Sequence, residues 1–524
     1  ADEVVGTAIN SMLRSLDPYT VYYPEDQVKN LRTMITGRYV GIGAVIRYNQ
    51  KLKRVVIDEP YAGNPAAEVG LKKGDIILSI DDSTMVGKDV SYVSSHLRGD
   101  PGTTFVLKIK RPSTGKVMNF TIKRRSVELP SIPFYGLNGD GIGYLNLSSF
   151  TEGCAKDVRR ALVEMKQKGM KGFVLDLRGN GGGSLSEAVD IVNMLVPKGI
   201  TLVKTRGKLK RANRDYTTTV EPIDSVMPVV VLVNGESASA SEITSGSLQD
   251  LDRAVILGTR TYGKGLVQLS VDLSYNGQLK LTTGKYYIPS GRCIQAINYK
   301  HARGGYTEHI PDSLTKVFHT VGGREVRDGG GIKPDIVVRP DSLPNIAYYL
   351  TVNGLDSTEV LLDYEIDYIA SHPTIAPAAD FEISDADYED FKRRVIESGF
   401  TYDPESERAL KSLKKIVQFE GYYDDAKTEF ENLEKKLKHD IARDLDMHRD
   451  VLKQIISSDI VAAYYFQSGA IENSLKHDKQ VKEAFNLIKD TDKYKSVLDG
   501  TYKPADDTDD GNDDTAADAQ DEDE

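Results

Sequence analysis

The chain has 524 residues, 40% hydrophobic and 28% charged, proportions of a folded, water-facing polypeptide long enough for about three to four domains. Its net charge of −11 is matched by eleven carboxylates between Asp506 and Glu524, so the rest of the chain is near neutral and offers no overall basic field to nucleic acid. Two cysteines, Cys154 and Cys293, make neither a disulfide framework nor a metal site, and no apolar run approaches the ~20 residues of a membrane-spanning helix.

The first residues already read as helix and carry no Met, which suits a fragment whose export signal, if any, lies upstream. Residues 1–36 are expected to form a helical packing arm, broken at Leu16-Asp17-Pro18, with Val4, Val5, Ile9, Met12 and Leu13 on one face. Residues 37–126 change character. Strand-like patches (GRYVGIGAVIRY, KRVVIDEP, TTFVLKIKRP, KVMNFTIKRR) alternate with turns, and one short helix is expected around Lys88–Leu97. The stretch GNPAAEVGLKKGDIILSIDD, Gly63–Asp82, carries a small-residue helix into a Gly-Asp turn and an apolar strand. That pattern resembles a PDZ domain. The resemblance implies that the loop around Gly41, Ile42 and Gly43 captures the terminal carboxylate of a peptide, which then adds as an extra strand. Glycine suits such a loop because it lets successive N–H groups converge on an anion, although a Gly-rich hairpin without a ligand would look the same locally.

Residues 127–340 read as α/β. Strands are expected at Gly141–Leu147, Gly172–Leu177, Val229–Val233, Ala254–Gly258, Val267–Leu273 and Gln278–Tyr287, and helices at Glu152–Lys168, Leu185–Leu195 and Glu236–Asp250. The alternation implies crossover connections and a parallel or mixed sheet, which presents its reactive groups at strand ends. Residues 341–500 are rich in Lys, Glu, Leu and Tyr at helical spacing, with helices at Ser406–Phe419, Asp424–Leu437 and Asp440–Phe466. Residues 501–524 lack the apolar surface to order and read as a disordered acidic tail.

Two glycine-rich motifs point away from nucleotides. Gly258–Lys264 fits the first seven positions of a phosphate-binding loop, but Gly265 stands where magnesium needs Ser or Thr, and a strand follows instead of a helix. Arg178–Ser184 follows a strand as a dinucleotide loop would, yet Ser184 takes the place of the third glycine. Nucleophilic chemistry remains. Ser237, Ser239 and Ser241 crowd a strand-to-helix turn, where helix N–H groups favour developing negative charge. A serine needs a base, and the flanking histidines, His96 and His301, are far away in sequence. Lys264, in a Gly-Lys-Gly turn beside the next buried strand, can serve if burial disfavours its ammonium. Ser239 and Glu242 also have the S-x-x-E spacing of a capping box, so a purely structural serine fits the same residues.

The segments Ser237–Ile243, Leu248–Asp250 and Thr261–Gln268, together with Asp176–Gly183, the early PDZ module and the loop Gly329–Asp335, occur in the order of the carboxyl-terminal processing peptidases. The chain resembles that family from about residue 5 to 340. The resemblance implies Ser239 as nucleophile, Lys264 as general base and Gln268 as the group that orients the lysine; Asp250 falls on an acidic position of structural character. The oxyanion would bind the Ala240 and Gly183 N–H groups. Gly179, Gly181 and Tyr262 depart from the commoner Asn, Pro and Phe without removing a reactive group. The resemblance further implies an α/β multidomain serine endopeptidase: a PDZ domain at 37–126, a peptidase core at 127–340 and a helical domain at 341–500. It implies no metal or organic cofactor, protein substrates with exposed apolar tails, an exported location in the periplasm or envelope, and room for a homo-oligomer. The competing expectation is a PDZ adaptor on a catalytically dead scaffold.

Overall fold

The computed structural model describes residues 2–296, 312–352, 354–402, 404–438 and 440–503. The acidic tail read from the sequence therefore lies almost wholly outside the described residues. The described residues form two compact units, one drawn from residues 2–28, 135–339 and 483–503, the other from 29–134 and 340–482.

The first unit is built on a six-stranded sheet whose order is Phe134–Leu137, Ile142–Asn146, Gly172–Asp176, Val229–Val233, Val255–Gly258 and Ile336–Val337. From Ile142–Asn146 onward neighbouring strands run parallel. Strands covered on both faces need apolar side chains at every position, and Val229–Val233 and Gly172–Asp176 are buried throughout. The parallel pairing places the C-terminal ends Asp176, Val233 and Gly258 at one edge. The three loops that leave that edge carry the glycine run, the serine turn and Lys264. The terminal helix Thr491–Leu498 closes the other end, where Tyr494 Oη accepts from Val229 N–H at 2.9 Å.

A second sheet in this unit is antiparallel, with the order Val21–Tyr23, Gln278–Tyr287, Thr201–Arg206, Arg214–Thr217; Leu266–Asp272 pairs with the opposite side of Gln278–Tyr287. Three of its strands carry little signal in the sequence. Thr201–Arg206 and Arg214–Thr217 are mostly polar, and Val21–Tyr23 has only three residues. The N-terminal arm is two helices, Asp2–Arg14 and Glu25–Thr36, joined through that short strand. The apolar face expected on the first helix is not buried as a whole: Val4, Val5 and Met12 are exposed. What holds the arm is the loop after it, through Asp17 and Thr20.

In the second unit a sheet of order Ala44–Asn49, Arg54–Pro60, Ile76–Ile80, Thr104–Lys110, Val117–Lys123 packs on the helix Val90–Leu97, around Val55, Ile57, Ile77, Leu107 and Ile109. The strand Ala44–Asn49 stands at the edge of this sheet, open on one side, directly after Gly41-Ile42-Gly43. The helices between Pro340 and Lys482 pack on the same β module rather than apart from it. Lys73 Nζ lies 2.9 Å from Glu365, which is buried, Arg47 pairs with buried Glu359, and Glu59 accepts Gln467 N–H at 2.9 Å. The helix expected to end at Phe466 runs from Arg449 to Leu475 with a local break at Phe466, φ 59°. Among the described residues no helix is long and apolar enough to cross a membrane.

Candidate active site

The turn between Val233 and the helix Ala240–Asp250 sorts its three serines. Ser237 is fully buried and donates to Leu177 O at 2.8 Å; Ser241 is fully buried and donates to Asn180 O at 2.8 Å. Both are consumed in joining the serine turn to the glycine run. Ser239, between them, is half-buried and holds φ 54°, ψ −109°, outside the regions a serine normally occupies. Such a conformation persists only where the surroundings over-determine it. Here they do. Ser239 N–H donates to Glu242 Oε2 at 2.8 Å, so the capping spacing is realised at the very residue expected to be the nucleophile.

Glu242 does more than cap a helix. Its Oε1 accepts from Thr261 Oγ1 at 2.6 Å and Gly263 N–H at 2.7 Å, while Oε2 accepts from Lys264 N–H at 2.9 Å as well as from Ser239. One fully buried carboxylate thus holds the backbone of both Ser239 and Lys264. Burial raises its pKa, opposed by the donors of Thr261, Lys264, Gly263 and Ser239. Tyr286, also fully buried, repeats the link from the other side. Its hydroxyl donates to Lys264 O at 2.7 Å and lies 3.3 Å from Ser239 O. Neither role shows in the sequence: Glu242 reads as a local cap, and Tyr286 lies 22 residues beyond the lysine.

Lys264 is half-buried, with Nζ 4.5 Å from the ring centroid of Tyr19. Its pKa is lowered from 10.5 to about 8, first by desolvation and then by the nearby cation of Lys280; Glu242 and Asp17 pull the other way. Gln268 lies four residues on, in the strand Leu266–Asp272. Its Nε2 donates to Thr282 Oγ1 at 3.2 Å. Asp250, at the far end of the serine helix, pairs with buried Arg292 at 2.8 Å and accepts Ser290 N–H at 2.9 Å.

The glycine run faces the serine turn through Asn180, fully buried. Asn180 Oδ1 accepts Gly182 N–H at 2.8 Å, and its main-chain carbonyl accepts Ala238 N–H at 3.0 Å. Gly182 has φ 102°, and a Cβ there would stand 2.7 Å from Ala238 O and 2.9 Å from Ser239 Cβ. Gly183 is solvent-accessible. Among the described residues, neither its N–H nor that of Ala240 has a protein acceptor. Replacing Gly182 by Ala is expected to lower kcat/KM at least about 100-fold by displacing Ser239, with the circular dichroism spectrum unchanged; steady-state kinetics on a peptide substrate measures it.

In the β module Ile42 is buried, its carbonyl accepting Ala66 N–H at 2.9 Å, and Gly43 has φ 72° with no space for a Cβ beside Asn64. The N–H groups of Gly43 and Ala44 face the hydroxyl of Tyr39, whose pKa burial raises against the pull of Arg98 and of those two amides. An apolar wall of Ile42, Val93 and Leu97, with Ala44 and Ile46 beside it, lies next to the open strand edge.

Three family models match the chain: "Peptidase family S41" over residues 141–302, "PDZ domain" over 56–111, and "Probable PDZ-protease, C-terminal helical domain" over 351–488. The chain is 38% identical over 299 residues to the carboxy-terminal-processing protease of Bartonella bacilliformis, an alignment covering 56% of this chain and 68% of that protein. It is 35% identical over 295 residues to the carboxyl-terminal-processing protease of a Synechocystis species, with the same two coverages of 56% and 68%. Among solved structures, a photosystem II D1 C-terminal processing protease matches at 28% identity and a TM-score of 0.36, over 67% of this chain and 86% of that one. The chain belongs to the carboxy-terminal-processing proteases, serine-type peptidases of family S41 that carry a PDZ domain.

Proposed function

We propose that this peptidase works with a Ser239–Lys264 pair on polypeptides whose C-terminal tails dock on its PDZ domain. The observation that carries the reading is the double tether. Glu242 and Tyr286 each bind the main chain of both residues, at a place where Lys264 is desolvated enough for its pKa to fall to about 8. A neutral lysine is able to take a proton from a serine hydroxyl near neutral pH.

The reaction then runs as follows. Lys264 Nζ accepts the Ser239 Oγ proton as Oγ bonds to the peptide carbonyl carbon. The carbonyl oxygen becomes an oxyanion held by the Ala240 N–H, at the helix start, and by the Gly183 N–H. The Lys264 ammonium gives its proton to the leaving nitrogen as the C–N bond breaks. Water then gives a proton to the neutral lysine as its oxygen bonds to the acyl carbon, and Ser239 Oγ leaves with that proton, restoring hydroxyl and amine. Gln268 belongs to this set as the residue that orients the lysine. The tail carboxylate is assigned to the N–H groups of the Gly41-Ile42-Gly43 loop, with the tail adding along Ala44–Asn49 and its last side chain against Ile42, Val93 and Leu97. In this reading Tyr39 Oη yields the Gly43 and Ala44 amides when the tail enters.

A serine-directed covalent probe tests the reading. It is expected to label the wild-type chain at one residue, and Ser239→Ala is expected to abolish both labelling and peptide cleavage while leaving thermal unfolding unchanged. Labelling elsewhere, or cleavage by Ser239→Ala, would remove Ser239 from the mechanism. A chain that binds tail peptides and takes no label would be an adaptor instead.

A further inference from the structure

The loop between the first helix and the strand Val21–Tyr23 has no role in the mechanism above. Asp17 nonetheless is almost fully buried there, bonded within its own loop and, through Thr282, to the strand beside Gln268. Its Oδ1 accepts from Tyr19 N–H and Thr20 N–H, each at 2.8 Å, and its Oδ2 from Thr20 Oγ1 at 2.6 Å, which fixes the loop. The same Oδ1 accepts from Thr282 Oγ1 at 3.0 Å, and Thr282 Oγ1 in turn accepts from Gln268 Nε2. Thr282 N–H donates back to Thr20 Oγ1 at 3.2 Å, and Val21 pairs across from Lys280. A hydrogen-bonded chain thus runs from Asp17 through Thr282 to the amide of Gln268. It commits the amide nitrogen as donor and leaves Oε1 as the acceptor that Gln268 can offer an ammonium. On the same loop, the face of Tyr19 lies under Lys264 Nζ.

We propose that the Asp17–Thr20 loop is a wall of the active site and that Tyr19 and Asp17 are positioning residues for the general base, Tyr19 by seating the ammonium on its ring and Asp17 by fixing Gln268 through Thr282. The proposal rests on the Ser239–Lys264 reading and deepens it. The base must be neutral to accept the serine proton, yet it is an ammonium for as long as the tetrahedral intermediate lives. Four charged or ionisable side chains face it. Lys280 on the strand Gln278–Tyr287 disfavours the ammonium, while Asp17 on the loop and Glu242 on the serine helix favour it. The Tyr19 ring, whose quadrupole attracts a cation, adds to the second group. Tyr19 and Asp17 therefore act on the protonated lysine much as a buried carboxylate acts on the imidazolium of a serine-protease triad.

The test is the pH dependence of kcat/KM on a peptide substrate, whose acid limb reports the base in the free enzyme. Removing a group that favours the ammonium moves that limb to lower pH. Tyr19→Leu and Asp17→Asn are each expected to move it down by at least about half a pH unit and to lower kcat 10- to 100-fold with KM little changed. Tyr19→Phe, which keeps the ring face, recovers most of the loss. Lys280→Met moves the limb the other way, to higher pH. Thr282→Val leaves both loop side chains in place and breaks only the chain to Gln268; it is expected to lower kcat about tenfold with KM unchanged. An acid limb that stays at the wild-type position in Tyr19→Leu and Asp17→Asn overturns the proposal, even if kcat falls, because a merely structural loop predicts that. Should either variant lose its cooperative melt, the other decides; should both, Thr282→Val decides by its kcat–KM split. If Ser239→Ala or Lys264→Ala still cleaves, the catalytic pair itself is wrong. If both are dead and the loop variants behave as wild type, only the role of the loop is lost.

Discussion

Replacing Lys264 by Ala or Met is expected to lower kcat/KM by about 10⁴-fold without weakening the fold, because removing the base from a nucleophile–base unit leaves little more than binding and oxyanion stabilisation. The pH profile of the wild type gives the same lysine a second signature. At pH 7 an ordinary lysine, with its pKa at 10.5, is neutral in roughly 0.03% of molecules, and one at about 8 in roughly 10%. Activity should therefore rise with pH through about 8 and level off above it. The stability sign runs opposite to the activity sign. A lysine whose folded pKa is depressed is more readily protonated in the unfolded chain, so it costs stability below about 8, and the cost fades as pH rises toward 10.5. Lys264→Met, which keeps the apolar stem and discards the desolvated ammonium, should accordingly melt at or above the wild-type temperature at pH 7. Peptide-cleavage kinetics across pH 6–10 and thermal melts of the same preparations check both halves. An inactive variant with a lowered melting temperature would point to a structural ion instead of a base.

The place of that lysine, in a turn beside a buried strand, was legible in the sequence because the signals around it are local. VVVLV and GFVLD are unbroken apolar strands, each followed by small and glycine residues, and a parallel sheet needs no more than that to bring its loops to one edge. The β module was equally legible where its strands end at Pro60, Asp81 or Arg111-Pro112. Where the reading ran short, the missing information was a pairing between distant residues. Asp17 and Thr282 are separated by 265 positions, Arg47 and Glu359 by 312, and nothing in either neighbourhood announces the other. The helices after Pro340 looked self-sufficient because their charged faces read as solvated. Glu359 and Glu365 turn out to be buried against Arg47 and Lys73 of the β module. The N-terminal arm failed in the converse way. Its apolar spacing suggested packing by Val4, Val5 and Met12, whereas it is polar Asp17 and Thr20 that anchor the loop beyond it.

Glu242 gives the sharpest separation of stability from chemistry. Glu242→Ala strands four donors in a fully buried place: Ser239 N–H, Thr261 Oγ1, Gly263 N–H and Lys264 N–H. Orphaning buried donors costs about 1–3 kcal/mol each, partly offset by the removed cost of desolvating a carboxylate, so the variant should lose about 3–5 kcal/mol of folding free energy. Its kcat/KM should fall about 10³-fold even where it is folded, since neither Ser239 nor Lys264 is then held. Glu242→Gln should behave differently. The new NH₂ is best tolerated at the Oε1 position, where Thr261 Oγ1, which already accepts Ile332 N–H, can accept from it as well, leaving the Thr261 O–H and Gly263 N–H without their acceptor. The remaining carbonyl oxygen then still holds Ser239 and Lys264. Glu242→Gln is thus expected to lose about 1–3 kcal/mol yet keep most of its turnover, and urea unfolding paired with peptide-cleavage kinetics reads both quantities. Equal losses of activity in the two variants would mean that the carboxylate charge, and not the tether on the two main chains, is what the site requires.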